Sequence, residues 1–123
     1  MNLPLIAAAL LVLLISGAHS YLGERYILVR LFRRADLPKL FGSDEFTRKT
    51  LRFAWHITSL AWLGLGGVMI LMASPGGVTP AGLTLVISLT FGLSGIVALV
   101  GSRGRHLSWI VFFAIAGLVW FGS

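Results

Sequence analysis

The stretch LPLIAAALLVLLISGAHSYL, residues 3–22, with GERYILVRLFRR, residues 23–34, directly behind it, decides the fold. The first part contains no acid, no lysine and no arginine; the second is crowded with arginine. A helix needs about 20 apolar residues to cross about 30 Å of hydrocarbon. Residues 3–22 have that length, so they read as a transmembrane helix that ends where the arginines begin. No positive charge precedes the run, which argues against a cleaved signal peptide and for a retained helix with its N-terminus outside.

Three more apolar runs follow, at residues 53–73, 81–100 and 107–121. The first two are long enough to cross a bilayer. The last is shorter and is expected to borrow a turn from residues 102–106. Hydrophobic residues make up 57% of the chain and charged residues only 11%, with a mean hydropathy of +0.92. A soluble domain carries roughly a quarter charged residues, so this chain lacks the polar groups to cover a surface in water. The expected fold is one all-α domain, residues 1–123: an antiparallel bundle of four transmembrane helices. The helices are expected near 3–22, with a possible extension to 34, and near 44–73, 80–100 and 105–121.

The charges orient it. Arg25, Arg30, Arg33, Arg34, Lys39, Arg48, Lys49 and Arg52 lie between the first two apolar runs, and Arg103 and Arg105 between the last two. Residues 74–79 and both tails have no Lys or Arg. Loops rich in Lys and Arg stay in the cytoplasm. The expectation is therefore an integral protein of a bacterial-type inner membrane, both termini outside, with the charged hairpin 23–52 and the loop 101–106 cytoplasmic. The formal charge of +6 belongs to this topology signal, and nucleic acid is not an expected partner. Anionic lipid is, with Arg30, Arg33 and Arg34 facing the headgroups. Whether residues 24–34 continue the first helix or lie along the surface stays open.

Local signals set the ends. Ser43 reads as an N-cap, with Asp44 and Glu45 in the first turn that follows. Ser74-Pro75-Gly76-Gly77 stops the second helix, and Thr79-Pro80 starts the third. Two stripes of small residues, Thr84/Ser88/Gly92 and Ser94/Ala98/Gly101, are packing faces. They serve one bundle or a homodimer. Tyr21, Trp55, Trp109 and Trp120 read as an interfacial aromatic belt, and Trp62 as packing within its helix. Glu24 reads as the partner of Arg25.

Chemistry is sparse. There is no cysteine, which removes thiolate sites and disulfides. No phosphate loop, nucleophile elbow or carboxylate pair is present, so no enzyme is indicated. What remains is His19, His56 and His106, assigned to the first, second and fourth helices at one depth, roughly 10 Å from the midplane on the cytoplasmic side. Ionisable residues at such depth tend to face the bundle interior. Imidazoles from three helices are a donor set for zinc, copper or iron, and two on facing helices suit haem. Glu24 is a candidate fourth ligand, although it lies about 140° around a regular helix from His19. The plainer reading gives each ring a nearby serine: Ser16 or Ser20 for His19, Ser59 for His56, Ser102 or Ser108 for His106. A proton relay is the third. The expected function is thus binding of a metal ion or haem at the histidines, with a structural or accessory subunit of a larger membrane complex, or a small transporter, as the alternative.

In length and helix count the chain resembles the small multidrug resistance transporters. That resemblance implies a small transporter working through a glutamate inside its first helix. Residues 3–22 contain no acid, so this chain departs from the pattern at its functional residue.

Overall fold

A computed structural model describes all 123 residues. It is all-helical, without strands beyond one isolated bridge between Leu40 and Ser43. Helix α1 spans Leu3–Leu31, α2 Glu45–Ala73, α3 Pro80–Ser102 and α4 Ser108–Phe121. The first three are long and apolar enough to cross a membrane. Only 12 of the 123 residues are buried, while Leu10, Leu11, Leu14, Leu65, Ile70, Val100 and Leu118 are exposed. An apolar surface on that scale suits lipid rather than water.

Helix α1 does not stop at Leu22. It passes through a π-helical turn, Gly23–Leu28, and one further α-helical turn, Val29–Leu31. The basic stretch therefore continues the first helix as far as Leu31. Helix α2 begins one residue later than its sequence signal suggests. Asp44 occupies the cap position and Ser43 Oγ accepts only a long hydrogen bond from Glu45 N, at 3.4 Å. Asp44 instead binds the Arg48 guanidinium one turn on, which draws its carboxylate away from the amides. Thr79 does cap α3, accepting from Gly82 N at 3.0 Å.

The α3–α4 connection differs most from expectation. Helix α3 runs to Ser102, and Arg103 (φ 52°) and Gly104 (φ 76°) then adopt left-handed conformations that stop it. Gly104 N donates to Leu99 O at 2.8 Å, which closes off the end of the helix. The fourth helix cannot borrow this turn. It keeps 14 residues, about 21 Å, well short of the hydrocarbon thickness.

Successive helices run antiparallel. Asn2 N donates to Ala73 O, joining the start of α1 to the end of α2. Gly82 lies against Leu71, and Gly101 against Phe53, at the two ends of the α2–α3 pair. Ser88 Oγ donates to Ala116 O between α3 and α4. The array is open: α1 touches α2, α2 touches α3, α3 touches α4, and α4 does not return to α1. The centre of α2 explains this. Gly66 receives Val12 of α1 and Gly67 receives Val86 of α3. Adjacent glycines point about 100° apart, so α2 draws one helix to each side. The Ser94/Ala98 stripe is buried, with Ser102, on the packed side of α3, whereas Gly92 faces open space.

Candidate functional site

Polar residues of α1 and α2 gather in one seam. On α1, Ser16, His19, Ser20, Gly23 and Glu24 recur at three- and four-residue steps, which places them on one face. On α2, Arg52, Trp55, His56 and Ser59 do the same. Because the helices are antiparallel, the two rows mesh in reverse order. Glu24 meets Arg52 and His56, Ser20 meets His56 and Ser59, and His19 meets Ser59.

The contacts are continuous. Arg52 Nη2 lies 2.9 Å from Glu24 Oε1, and His56 Nε2 lies 3.2 Å from Glu24 Oε2. The other ring nitrogen of His56 is 3.0 Å from Ser20 Oγ. Ser20 Oγ is 2.7 Å from Ser59 Oγ, and Ser59 Oγ is 3.0 Å from His19 Nδ1. A hydroxyl donates one proton and accepts others, and an imidazole offers a donor and an acceptor on opposite sides. Every inner member of the row thus has a partner on each side. Glu24 and His56 keep about a third of their side-chain surface exposed (34% and 30%), while Ser59 is buried. Ser20 and His19 are part-exposed as well, so Ser59 is the one buried link of the row.

Tryptophan holds the inner end. The Trp55 indole stacks on the His19 ring, with centroids 4.5 Å apart and planes 3° from parallel. Its Nε1 donates to His19 O at 2.9 Å. Trp62 meets the same imidazole at 4.8 Å, tilted by 59°. The indole of Trp55 also crosses Gly23, where a Cβ atom would overlap it. Glycine is needed there to let the ring lie flat between the helices. Trp55, expected in an interfacial belt, is therefore a wall of the seam, and Trp62 belongs to the same wall.

The structure brings together two of the three expected metal ligands. His19 and His56 share the seam with Glu24, joined through serines. His106 lies elsewhere. It sits in the α3–α4 connection rather than on a helix, stacked on Phe46 (5.6 Å) and edge-on to Phe53 (5.1 Å), with Nδ1 2.9 Å from Ser108 Oγ. No three His, Asp or Glu side chains converge closely enough to hold one metal ion. Glu24 does not pair with Arg25, which instead donates to Tyr21 Oη at 3.4 Å. Arg30, Arg33 and Arg34 are exposed. Arg30 lies over the Tyr26 ring and Arg34 grips Asp36 through two hydrogen bonds.

Sequence reasoning paired each histidine with a serine of its own helix. The structure exchanges two of them, Ser20 serving His56 and Ser59 serving His19, and keeps Ser108 with His106. Arg52 was absent from the expected site. The matching periods of HSYLGE (19–24) and RFAWHITS (52–59) carry the signal, but only once the two helices are set antiparallel in the right register. A cavity of about 320 Å³ lies beside the seam, lined by Ser16, Ser20, His56 and Ser59 together with Leu13, Leu60, Leu63 and Val97. Ser16 Oγ is buried there without a hydrogen-bond partner. Comparison with known protein families, curated proteins and solved structures gives no match, so the seam is read on its own geometry.

Proposed function

We propose that this is an integral membrane protein whose α1–α2 seam carries protons between its charged end and His19. The observation that carries this reading is the unbroken row Glu24–His56–Ser20–Ser59–His19, with steps of 2.7 to 3.2 Å. Rows of acid and histidine side chains inside membrane proteins are a recurrent means of moving protons. With the row oriented one way, His19 Nδ1–H donates to Ser59, Ser59 to Ser20, Ser20 to His56 Nδ1, and His56 Nε2–H to the Glu24 carboxylate. Once His19 takes up a proton at Nε2, the nitrogen that makes no hydrogen bond, one hop at each link leaves His19 neutral, protonates Glu24 and reverses the row. Arg52 holds the carboxylate in place. The eight basic residues of the first loop and the two of the last support a cytoplasmic charged end with both termini outside, the 14-residue α4 then crossing where the bilayer thins around it.

The test is the exchange of the His19 ring proton with water, followed by nitrogen NMR in bilayers. Exchange is fast in the native chain. Ser59→Ala or Ser20→Ala breaks one link and slows it by about tenfold, the effect of losing one buried hydrogen bond. Unchanged exchange in both variants overturns the relay.

A second reading keeps the histidines as ligands to a metal ion or haem. It is favoured by one observation: His19 Nε2 makes no hydrogen bond, unlike both ring nitrogens of His56. His19 then supplies one ligand, and His56 joins only by releasing Glu24. Elemental analysis and an absorption spectrum of the purified protein decide it: stoichiometric iron, zinc or copper lost in His19→Ala supports ligation, and metal-free native protein ends it.

A further inference from the structure

The largest of the well-formed cavities, about 480 Å³, lies between α2 and α3 at their charged end. Its rim carries Lys49, Arg52 and Arg103, and its floor is Phe53, Val97 and Val100. Lys49 and Arg52 each make one ion pair, with Glu45 and Glu24, and have further donors to spare. Arg103 makes no ion pair at all. It occupies a left-handed backbone position, φ 52°, where glycine would be unstrained. The chain nonetheless places a free guanidinium there, over the mouth of the cleft. Both Val100 and the neighbouring Ile96 are largely exposed, so the apolar floor continues onto the outer face of α3.

We propose that this cleft binds one anionic phospholipid, its phosphate between Lys49, Arg52 and Arg103 and its acyl chains along Val97 and Val100. Charge selects the headgroup, since three cations from two helix ends converge on one opening. The floor selects an amphiphile over a free anion, because an inorganic phosphate leaves the apolar surface uncovered. Arg103 and Lys49 approach from different helices, so a bound headgroup also ties α3 to α2 beside the turn that ends α3. His56 forms the inner end of the cleft, but the proposal does not rest on the proton relay and stands if the relay fails.

The test is native mass spectrometry of the full chain released from detergent, with phosphatidylglycerol or phosphatidylcholine of matched chains. The native protein is expected to keep one phosphatidylglycerol and no phosphatidylcholine. The double variant Lys49→Gln/Arg103→Gln should bind it at least about tenfold more weakly, as two basic residues near an anionic headgroup warrant. The control Arg25→Gln/Lys39→Gln removes the same charge from exposed positions outside the cleft and should keep the lipid. Equal loss in the control means that net charge alone is at work and overturns the site. So does equal retention of phosphatidylcholine, or displacement of the lipid by inorganic phosphate. A dimer held at this face in place of the lipid contradicts it as well.

Discussion

Serine does two different jobs in the two halves of this molecule. In the α3–α4 half, Ser94 and Ser102 donate to carbonyls of their own helix, Thr90 O and Ala98 O. Ser88 reaches across, but to a backbone carbonyl of α4. These hydroxyls satisfy themselves and let helices pack closely. In the α1–α2 half, Ser20 and Ser59 bond to each other and to imidazoles on opposite helices. At the helix ends the roles mix, with Ser108 of α4 bonding His106 and Ser74 bonding back to Ile70 O. Between the ends, serine is packing material in one half and a link in the other. Its neighbours decide: α3 and α4 carry no acid and no histidine, whereas α1 and α2 place His19, Glu24, Arg52 and His56 within reach.

Substitutions can break this contrast, and the largest effect belongs to Gly23. A side chain there enters the Trp55 indole. Gly23→Val should cost about 2 to 3 kcal/mol, the usual scale of overpacking. Gly92 and Gly117 meet nothing within 4 Å, so alanine at either should be nearly silent. Thermal unfolding in detergent compares the three. A comparable loss at all of them would show that the wall of the seam is nothing special.

Next comes His56. Leucine at that position leaves Ser20 and Glu24 each short of a partner in a half-buried site, a cost of about 1 to 3 kcal/mol. His106→Leu should cost less, because it gives up a partly exposed contact with Ser108 and keeps an apolar neighbour for Phe46 and Phe53. Denaturant titration of both variants measures the gap; reversal of the order contradicts the unequal roles given to the two rings. A finer version uses the serines. Ser59→Ala removes a hydroxyl shared by two partners and should cost about 1 kcal/mol. Ser94→Ala frees a carbonyl already bonded within its helix and should cost less, since such back-bonding contributes little.

The smallest effect is that of pH. All four carboxylates, Glu24, Asp36, Asp44 and Glu45, lie in the α1–α2 half. Arg48, hydrogen-bonded to Asp44, holds its carboxyl below the usual range, and Arg34 does the same for Asp36. A carboxylate lowered on folding contributes stability that is full above its ordinary pKa and is lost as pH falls through the folded value. The charged hairpin should therefore loosen below about pH 4, while α3 and α4 hold. Hydrogen exchange at acid and neutral pH would show it, and Asp44→Asn should blunt the response. Uniform loosening of both halves contradicts the placement.

How much of this was legible in the sequence follows from the physics of each element. The apolar runs set three helices of spanning length, since composition alone determines where a chain can leave water. Thr79-Pro80 set the start of α3, because cap and first-turn proline are local. The end of α3 lies two residues beyond the expected one, because the left-handed turn begins at Arg103, a residue that rarely adopts that conformation, and continues through Gly104. His106 was assigned to α4 for the same reason, and with it the third metal ligand was lost. The seam itself was half visible. His19, His56 and Glu24 stood out as ionisable residues in apolar surroundings, yet their partners depend on the register between helices. That register is set by Gly66 against Val12 and Gly23 under Trp55, contacts with no signature along the chain.

The central claim is that His19 and Glu24 belong to one hydrogen-bonded row although they do not touch. Nitrogen NMR of histidine-labelled protein in bilayers tests it with Glu24→Gln. This change at the far end should alter the His19 ring signal and its proton exchange, and a Ser59→Ala background should abolish the effect. A His19 signal that ignores Glu24→Gln, while His56 responds, would mean that the row is a set of separate contacts and conducts nothing.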